Sequence, residues 1–231
     1  MPRMPLRAAS VLCLFAKRPR AGHVKTRLAA TLGDARAAQL ATAFLDDTIA
    51  ALRRGRQPFV VAFDLAPEDD RPSDVRTVLQ GPGDLGERLT RVLRALLAES
   101  RFAIALGSDT PGLPWAFVER AVEMLDDPRG PDVVIGPSSD GGFYLLGVRK
   151  LPAGSLAGVR WSTDHARADV EARLGALGMR IEHLSPWFDV DEVADLQRLM
   201  RSLEADPTLI APATRRALML APDDNCEPDP S

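Results

Sequence analysis

Two regimes of apolar patterning alternate along this chain: short unbroken apolar runs, and longer stretches in which apolar residues return at helical spacing. The run Ser10 to Lys17 (SVLCLFAK), ended by a Pro- and Gly-bearing loop, reads as a strand buried on both faces. After Asp34, which can cap a helix, Leu40, Phe44, Leu45, Ile49 and Leu52 mark a helix that Gly55 stops. Phe59 to Asp64 and Val75 to Gln80 read as strands, and Leu85 to Glu99 as a helix burying Leu89, Val92, Leu93 and Leu96. A strand over Phe102 to Asp109, a helix opened by Pro114 in its first turn, and a strand over Val133 to Gly136 follow.

Such alternation predicts a mostly parallel sheet. Phe143 to Val148 (FYLLGV) follows the preceding strand after only a Ser-Asp-Gly-Gly turn, which predicts an antiparallel excursion. A helix near Asp164 to Leu177, a strand ending at Asp189 and a helix from about Glu192 to Leu203 complete the pattern. The fold class expected is α/β, with one domain over residues 1–220 and a disordered tail over 221–231 (PDDNCEPDPS).

Composition adds exclusions more than assignments. With 231 residues, 45% of them hydrophobic, the chain can bury a core without disulfide or metal support. The balance of 29 Lys plus Arg against 32 Asp plus Glu gives no global field to collect nucleic acid or an anionic membrane, so an anion site must be local. No apolar run is long enough to span a bilayer, and MPRMPLRAAS lacks the apolar core of a signal peptide, so the cytoplasm is the expected compartment. Cys13 in a buried strand and Cys226 in the polar tail are expected to be separate reduced thiols.

Local chemistry concentrates first in AKRPRAGHVKTRL, which joins the opening strand to a helix and carries Lys17, Arg18, Arg20, Lys25 and Arg27 around Gly22. Cations and backbone N–H groups at a helix start, beyond the carboxyl end of a strand, suit a phosphate chain, with His23 as a further donor. A solvated basic loop is the alternative. Gly22 precedes Lys25-Thr26 by too little for a Walker A loop, and the first glycine of that pattern is missing. Gly81-Pro-Gly83-Asp84-Leu-Gly86 matches GxGxxG literally but at the third strand, so a helix-capping turn, or GDLGERL (residues 83–89) as a wall of the nucleotide pocket, explains it better than dinucleotide binding.

Carboxylates supply the second ingredient. Asp109 in GSDTPGLP leaves the sheet beside Ser108 and would face the ligand crevice, or else cap the next helix. Asp189-Val190-Asp191 points both acids to one face, where a divalent metal shared with Asp109 would relieve their repulsion; Asp191 as a helix N-cap is the alternative. Asp140, Gly141 and Gly142, and then Trp161, Ser162 and Asp164, could shape an acceptor pocket or serve as turn and cap residues. His23, His165 and His183 are too scattered for a metal triad.

FAKRPRAGHVKTRL, GDLGERL, GSDTPGLP, SSDGGFYLLG, WST and DVDEVADL occur in this order across nearly the whole chain, which resembles a bacterial glycosyltransferase-like family of GT-A fold, of the radical-SAM and selenium-associated type. KTRL and DVDxxxDL are also similar to elements of 2-phospho-lactate guanylyltransferase and, more distantly, molybdenum-cofactor guanylyltransferase. The resemblance implies a three-layer α/β/α nucleotide-diphospho-sugar transferase fold with a mostly parallel mixed sheet. It implies nucleotide contacts from Ala16, Lys17, Gly22, Lys25, Thr26, Arg27, Gly83, Asp84, Gly86 and Ser108, and Mg²⁺ or Mn²⁺ on Asp109 with Asp189 or Asp191. Ser-Asp-Thr stands where the family's Asp-x-Asp would be, so one expected carboxylate is absent.

Lys25, Asp109 and Asp140 are the candidate catalytic residues, and Gly141, Gly142, Trp161, Ser162 and Asp164 the candidate acceptor contacts. The function expected is metal-dependent transfer from a nucleotide sugar to a small-molecule acceptor. Nucleotidyl transfer from an NTP is the alternative, since one scaffold carries both chemistries. A non-catalytic nucleotide-binding module is a third reading, which would tolerate loss of the carboxylates that this chain retains.

Overall fold

The computed structural model describes residues 8–65 and 75–219; the expected tail and Cys226 lie outside the described residues. The chain opens with β1 (Ala8–Ala16), α1 (Thr26–Leu32), α2 (Asp34–Arg54), β2 (Phe59–Phe63), β3 (Thr77–Leu79), α3 (Leu85–Glu99) and β4 (Ser100–Gly107). It continues with α4 (Trp115–Asp126), β5 (Val133–Pro137), β6 (Phe143–Val148), α5 (Ala166–Ala176), β7 (Ile181–His183), α6 (Val193–Ala205) and α7 (Pro212–Met219). The strands form one sheet in the order β3-β2-β1-β4-β6-β5-β7, parallel throughout except that β6 runs antiparallel to both β4 and β5.

Burial on both faces explains the unbroken apolar runs. In β1, Val11 and Cys13 pack with Leu89, Val92, Leu93 and Leu96 of α3 on one face, while Leu12 and Leu14 meet Leu45, Ile49 and Leu52 of α2 on the other. Cys13 is fully buried, which pushes its thiol pKa up and leaves it chemically inert. The opposite side of α2, through Leu40 and Phe44, joins Leu28 of α1 with Leu196, Leu199 and Leu203 of α6 in a third cluster. The result is a single α/β domain with helices on both faces of a mixed sheet.

Several boundaries differ from the sequence expectation. The basic loop ends in the short helix α1, which Gly33, at φ 81°, separates from α2; Asp34 therefore opens α2 and caps nothing with its side chain. Pro114 sits just before α4 as its N-cap. β7 stops at His183, short of Asp189, because Pro186 offers no N–H to a ladder; the path resumes pairing only at the bridge between Ser138 and Trp187.

α7 was not legible, and its anchoring is unusual. Asp47, 3% exposed on α2, accepts from the backbone N–H groups of Ala213 (2.9 Å) and Thr214 (2.7 Å), so a side chain from one helix caps another. Asp47→Ala leaves two donors at a buried helix start unpaired and is expected to cost about 2–4 kcal/mol. Thermal unfolding should show a loss of roughly 5–12 °C. A melting temperature unchanged by Asp47→Ala would remove this contact from the account of α7. No helix among the described residues is long and apolar enough to cross a membrane.

Candidate functional site

The parallel strands β1 and β4 deliver their carboxyl ends to one edge of the sheet, where a cleft of about 540 Å³ opens. Such a crevice is where open α/β sheets take ligands, and its size suits a nucleotide-sized guest. Ala16, Lys17, Lys25, Thr26 and Arg27 line it from the first loop, Ser108 and Asp109 from the end of β4, Asp191 from the approach to α6, and Ser162 from the loop before α5.

Lys25 is the centre of the charge arrangement. Its Nζ lies 2.6 Å from Asp109 and 2.7 Å from Asp191, and its side chain is only 4% exposed. Burial disfavours its charge, but the two carboxylates outweigh that penalty and raise its pKa above the ordinary lysine value. The backbone of Lys25 is held at φ 49°, in the left-handed region, immediately before α1, and Gly22 supports the same loop at φ 76°. A backbone hydrogen bond from Val190 N–H to Asp109 O (2.9 Å) clasps the two acid-bearing loops together.

Asp191 is free for this role because another residue caps α6. The Asp195 carboxylate accepts from the N–H groups of Asp191 (3.1 Å) and Glu192 (2.9 Å), so Asp191 is not the N-cap. Asp109 likewise caps no helix, since Pro114 precedes α4. Asp189 goes elsewhere: it accepts from Ser138 Oγ at 2.8 Å. Burial first, then the neighbouring Asp140, Asp109 and Asp191 charges, push its pKa up to about 7 despite the Ser138 bond.

Among the described residues no group of three or more His, Cys, Asp or Glu side chains gathers to hold a metal, so the expected triple set of Asp109, Asp189 and Asp191 does not form. The pair Asp109 and Asp191 does share one cationic group, the Lys25 ammonium, which stands in for a small cation between them. Two carboxylates completed by diphosphate oxygens and water match the hard-oxygen shell that Mg²⁺ prefers, so the donor set fits such an ion.

Other expected contacts have structural duties. Asp84 caps α3 by accepting from Glu87 N–H (2.9 Å), and the Glu87 carboxylate accepts in return from Asp84 N–H (3.0 Å). A Cβ on Gly83 would lie 2.1 Å from the Glu87 carboxylate, and one on Gly86 would meet Leu156 O and Trp161 at 2.9 Å, so these glycines permit the turn and the close packing of α3. None of the three lines the cleft. Gln80, Leu85, Arg88 and Leu89 line it instead. Asp140 accepts from Gly142 N–H at 2.9 Å as a turn residue. The Gly141 carbonyl accepts from Arg167 N–H at the start of α5, and a Cβ on Gly141 would meet the Asp164 carbonyl in the loop before that helix.

In that loop only Ser162, at φ 60°, reaches the cleft; Asp164 is exposed beside His165, and Trp161 packs edge-on against Phe143. Of the remaining cations, Arg18 stacks on Phe63, 4.5 Å from the ring centroid, while Arg27 pairs with Glu192 at 3.2 Å on the exposed rim. Leu85, Arg88 and Leu89 belong to GDLGERL, so that motif does form a wall of the cleft, though Arg88 was not singled out in the sequence. Gln80 was missed; its only signal was an amide closing the run VRTVLQ.

A protein from Desulfovibrio desulfuricans G20 provisionally described as a nucleotide-diphospho-sugar transferase superposes with a TM-score of 0.81 at 28% identity, the match covering 90% of this chain and 93% of that one. A 4-diphosphocytidyl-2C-methyl-D-erythritol synthase from Anaerococcus prevotii DSM 20548 shares the fold at a TM-score of 0.55 and 13% identity, over 85% and 96% of the two chains. So does a CMP:2-keto-3-deoxy-manno-octonic acid synthetase complexed with CTP, at 0.52 and 15%, over 86% and 99%. No curated protein matches the sequence. The model of a family described as "Uncharacterized protein conserved in bacteria (DUF2064)" matches residues 37–163, just over half of the chain, a span that includes Asp109 and leaves Lys25 and Asp191 outside.

Proposed function

The chain belongs to the DUF2064 family of bacterial proteins, and from that premise and the geometry of its cleft we propose a metal-dependent transferase that moves a glycosyl group from a nucleotide-diphospho-sugar to a small acceptor. The observation that carries this reading is the Lys25 ammonium buried between Asp109 and Asp191 at the end of the sheet. Likeness over nine-tenths of the chain to the Desulfovibrio protein supports a sugar donor.

In this reading Lys25 leaves the carboxylates when a donor enters and turns to the diphosphate, together with Lys17 and the N–H groups at the start of α1. Asp109 and Asp191, relieved of Lys25, would be the residues to hold Mg²⁺ or Mn²⁺. The ion would supply neutralisation of charge developing on the leaving diphosphate. The acceptor hydroxyl bonds to the anomeric carbon as the bond from that carbon to the diphosphate oxygen breaks. The nucleoside diphosphate departs, and the hydroxyl proton passes to water or a nearby carboxylate. In this reading the acceptor enters beside Ser162, which lines the cleft.

The test is incubation of the protein with Mg²⁺, nucleotide sugars or NTPs, and a panel of hydroxyl and phosphate acceptors. Release of a nucleoside diphosphate together with a glycosylated product is expected. Pyrophosphate release with a phosphorylated acceptor would replace glycosyl by nucleotidyl transfer, and no turnover of either donor class would remove the transferase reading.

A further inference from the structure

The cleft crosses the carboxyl end of β1, and its two flanks differ in chemistry. Toward β4 lie Lys25, Asp109 and Asp191, the charged end. Toward β2 and β3, Phe15, Leu85 and Leu89 offer apolar walls to a flat ring, around the polar pair Gln80 and Arg88. If phosphates occupy the charged end, the base of the nucleotide falls between these walls.

What that flank can read is decided by which polar atoms are already committed. Gln80 is 3% exposed, and its Nε2 donates to Ala62 O (2.8 Å) and Ala16 O (3.2 Å), pinning its amide across the ends of β2 and β1. Its Oε1 accepts from Arg88 Nη1 at 3.0 Å, and its backbone carbonyl accepts from Arg91 Nη1 at 2.6 Å. Arg88 Nε is turned to Asp84 O at 3.3 Å. The carboxylates of Asp84 and Glu87 each use one oxygen in capping α3 and stand outside the cleft lining. Within the lining, the Gln80 amide is held on both sides, its Nε2 by two carbonyls and its Oε1 by Arg88, whereas the half-buried Arg88 keeps further N–H groups, a guanidinium having five donors and no acceptor.

We propose that Arg88, held in place by Gln80, selects a nucleotide whose base turns a keto oxygen toward it, a 6-oxopurine or 4-oxopyrimidine, over one that turns an amino group; the proposal rests on the nucleotide reading of this cleft. Guanine's O6 and N7 are adjacent acceptors that match a guanidinium fork, and uracil's O4 is a single one. The amino groups of adenine and cytosine would set a donor against the Arg88 guanidinium, which offers no acceptor. This choice separates the chain from its fold neighbours, two of which are described with cytidine nucleotides.

Binding of GTP, ITP, UTP, ATP and CTP to the full chain in Mg²⁺, measured by calorimetry, tests it. GTP, ITP and UTP are expected to bind at least about tenfold more tightly than ATP and CTP, with ITP close to GTP because inosine loses only the amino group on the far edge. In Arg88→Ala the preference should shrink to within about threefold, with circular dichroism confirming the fold. Equal or tighter binding of ATP or CTP by the wild-type protein overturns the base assignment while leaving the transferase reading intact, and so does a preference undiminished in a folded Arg88→Ala. Absence of binding by all five nucleotides, and by UDP- and GDP-sugars, overturns both.

Discussion

Lys25→Met is expected to lower turnover by about 10²–10³-fold, the range for removing one preorganised donor from developing negative charge. The same variant should bind Mn²⁺ more tightly than wild type when no nucleotide is present. Both effects follow from one geometry: the ammonium sits 2.6 Å and 2.7 Å from the two carboxylates in the resting protein. Methionine keeps the length and the apolar stem but leaves Asp109 and Asp191 facing one another without a cation. At an effective dielectric constant near 20, charges about 4 Å apart interact by about 4 kcal/mol, so a divalent ion gains considerably when the ammonium is absent. Electron paramagnetic resonance of free Mn²⁺ reads the affinity, and single-turnover kinetics read the chemistry. Mn²⁺ affinity in Lys25→Met equal to wild type would show that the lysine does not compete for the ion's position.

Asp109→Asn should act on the other half of the site. The amide keeps the shape of the side chain, and the main-chain bond from Val190 N–H to residue 109 is untouched, so the two loops stay clasped. One negative charge is lost from the pair that would hold the ion. Turnover is expected to fall by about 10³-fold or more, while nucleotide affinity measured without metal changes only severalfold, because Lys25 retains Asp191 as its partner. Full Mg²⁺-dependent turnover in this variant would dismiss Asp109 as a ligand. The pair of variants therefore separates phosphate binding from metal binding, which the proposed mechanism joins at one ammonium.

Much of the fold was legible because its signals are local. β6 and α3 match their expected limits, since FYLLGV follows paired glycines and gives way to Arg149 and Lys150, and α3 begins at a complete capping box. The antiparallel turn of β6 followed from a connection too short for a crossover. α1 was missed because its seven residues after a left-handed lysine carry only the pair Leu28 and Leu32 as an apolar period, and α7 because its cap comes from Asp47, far away in sequence. Within the site, Lys25, Asp109 and Asp191 were identified individually from loop position, but their mutual contact depends on how the sheet brings β1, β4 and the segment before α6 together. Gln80 was invisible, and Arg88 was legible only as part of GDLGERL, for the complementary reason. The bond between them depends on how α3 folds back over the ends of β1 and β2, and spacing along a chain does not record that.

The buried lysine also bears on how the resting protein lives with a variable ion supply. Its own side chain already neutralises Asp109 and Asp191, so the folded form carries no pair of bare carboxylates waiting for a metal. On the proposed metal-dependent mechanism, chelation would silence the site without loosening the fold, because Lys25 keeps the two carboxylates neutralised. Activity would return as soon as donor and ion arrived together, with no step of refolding in between.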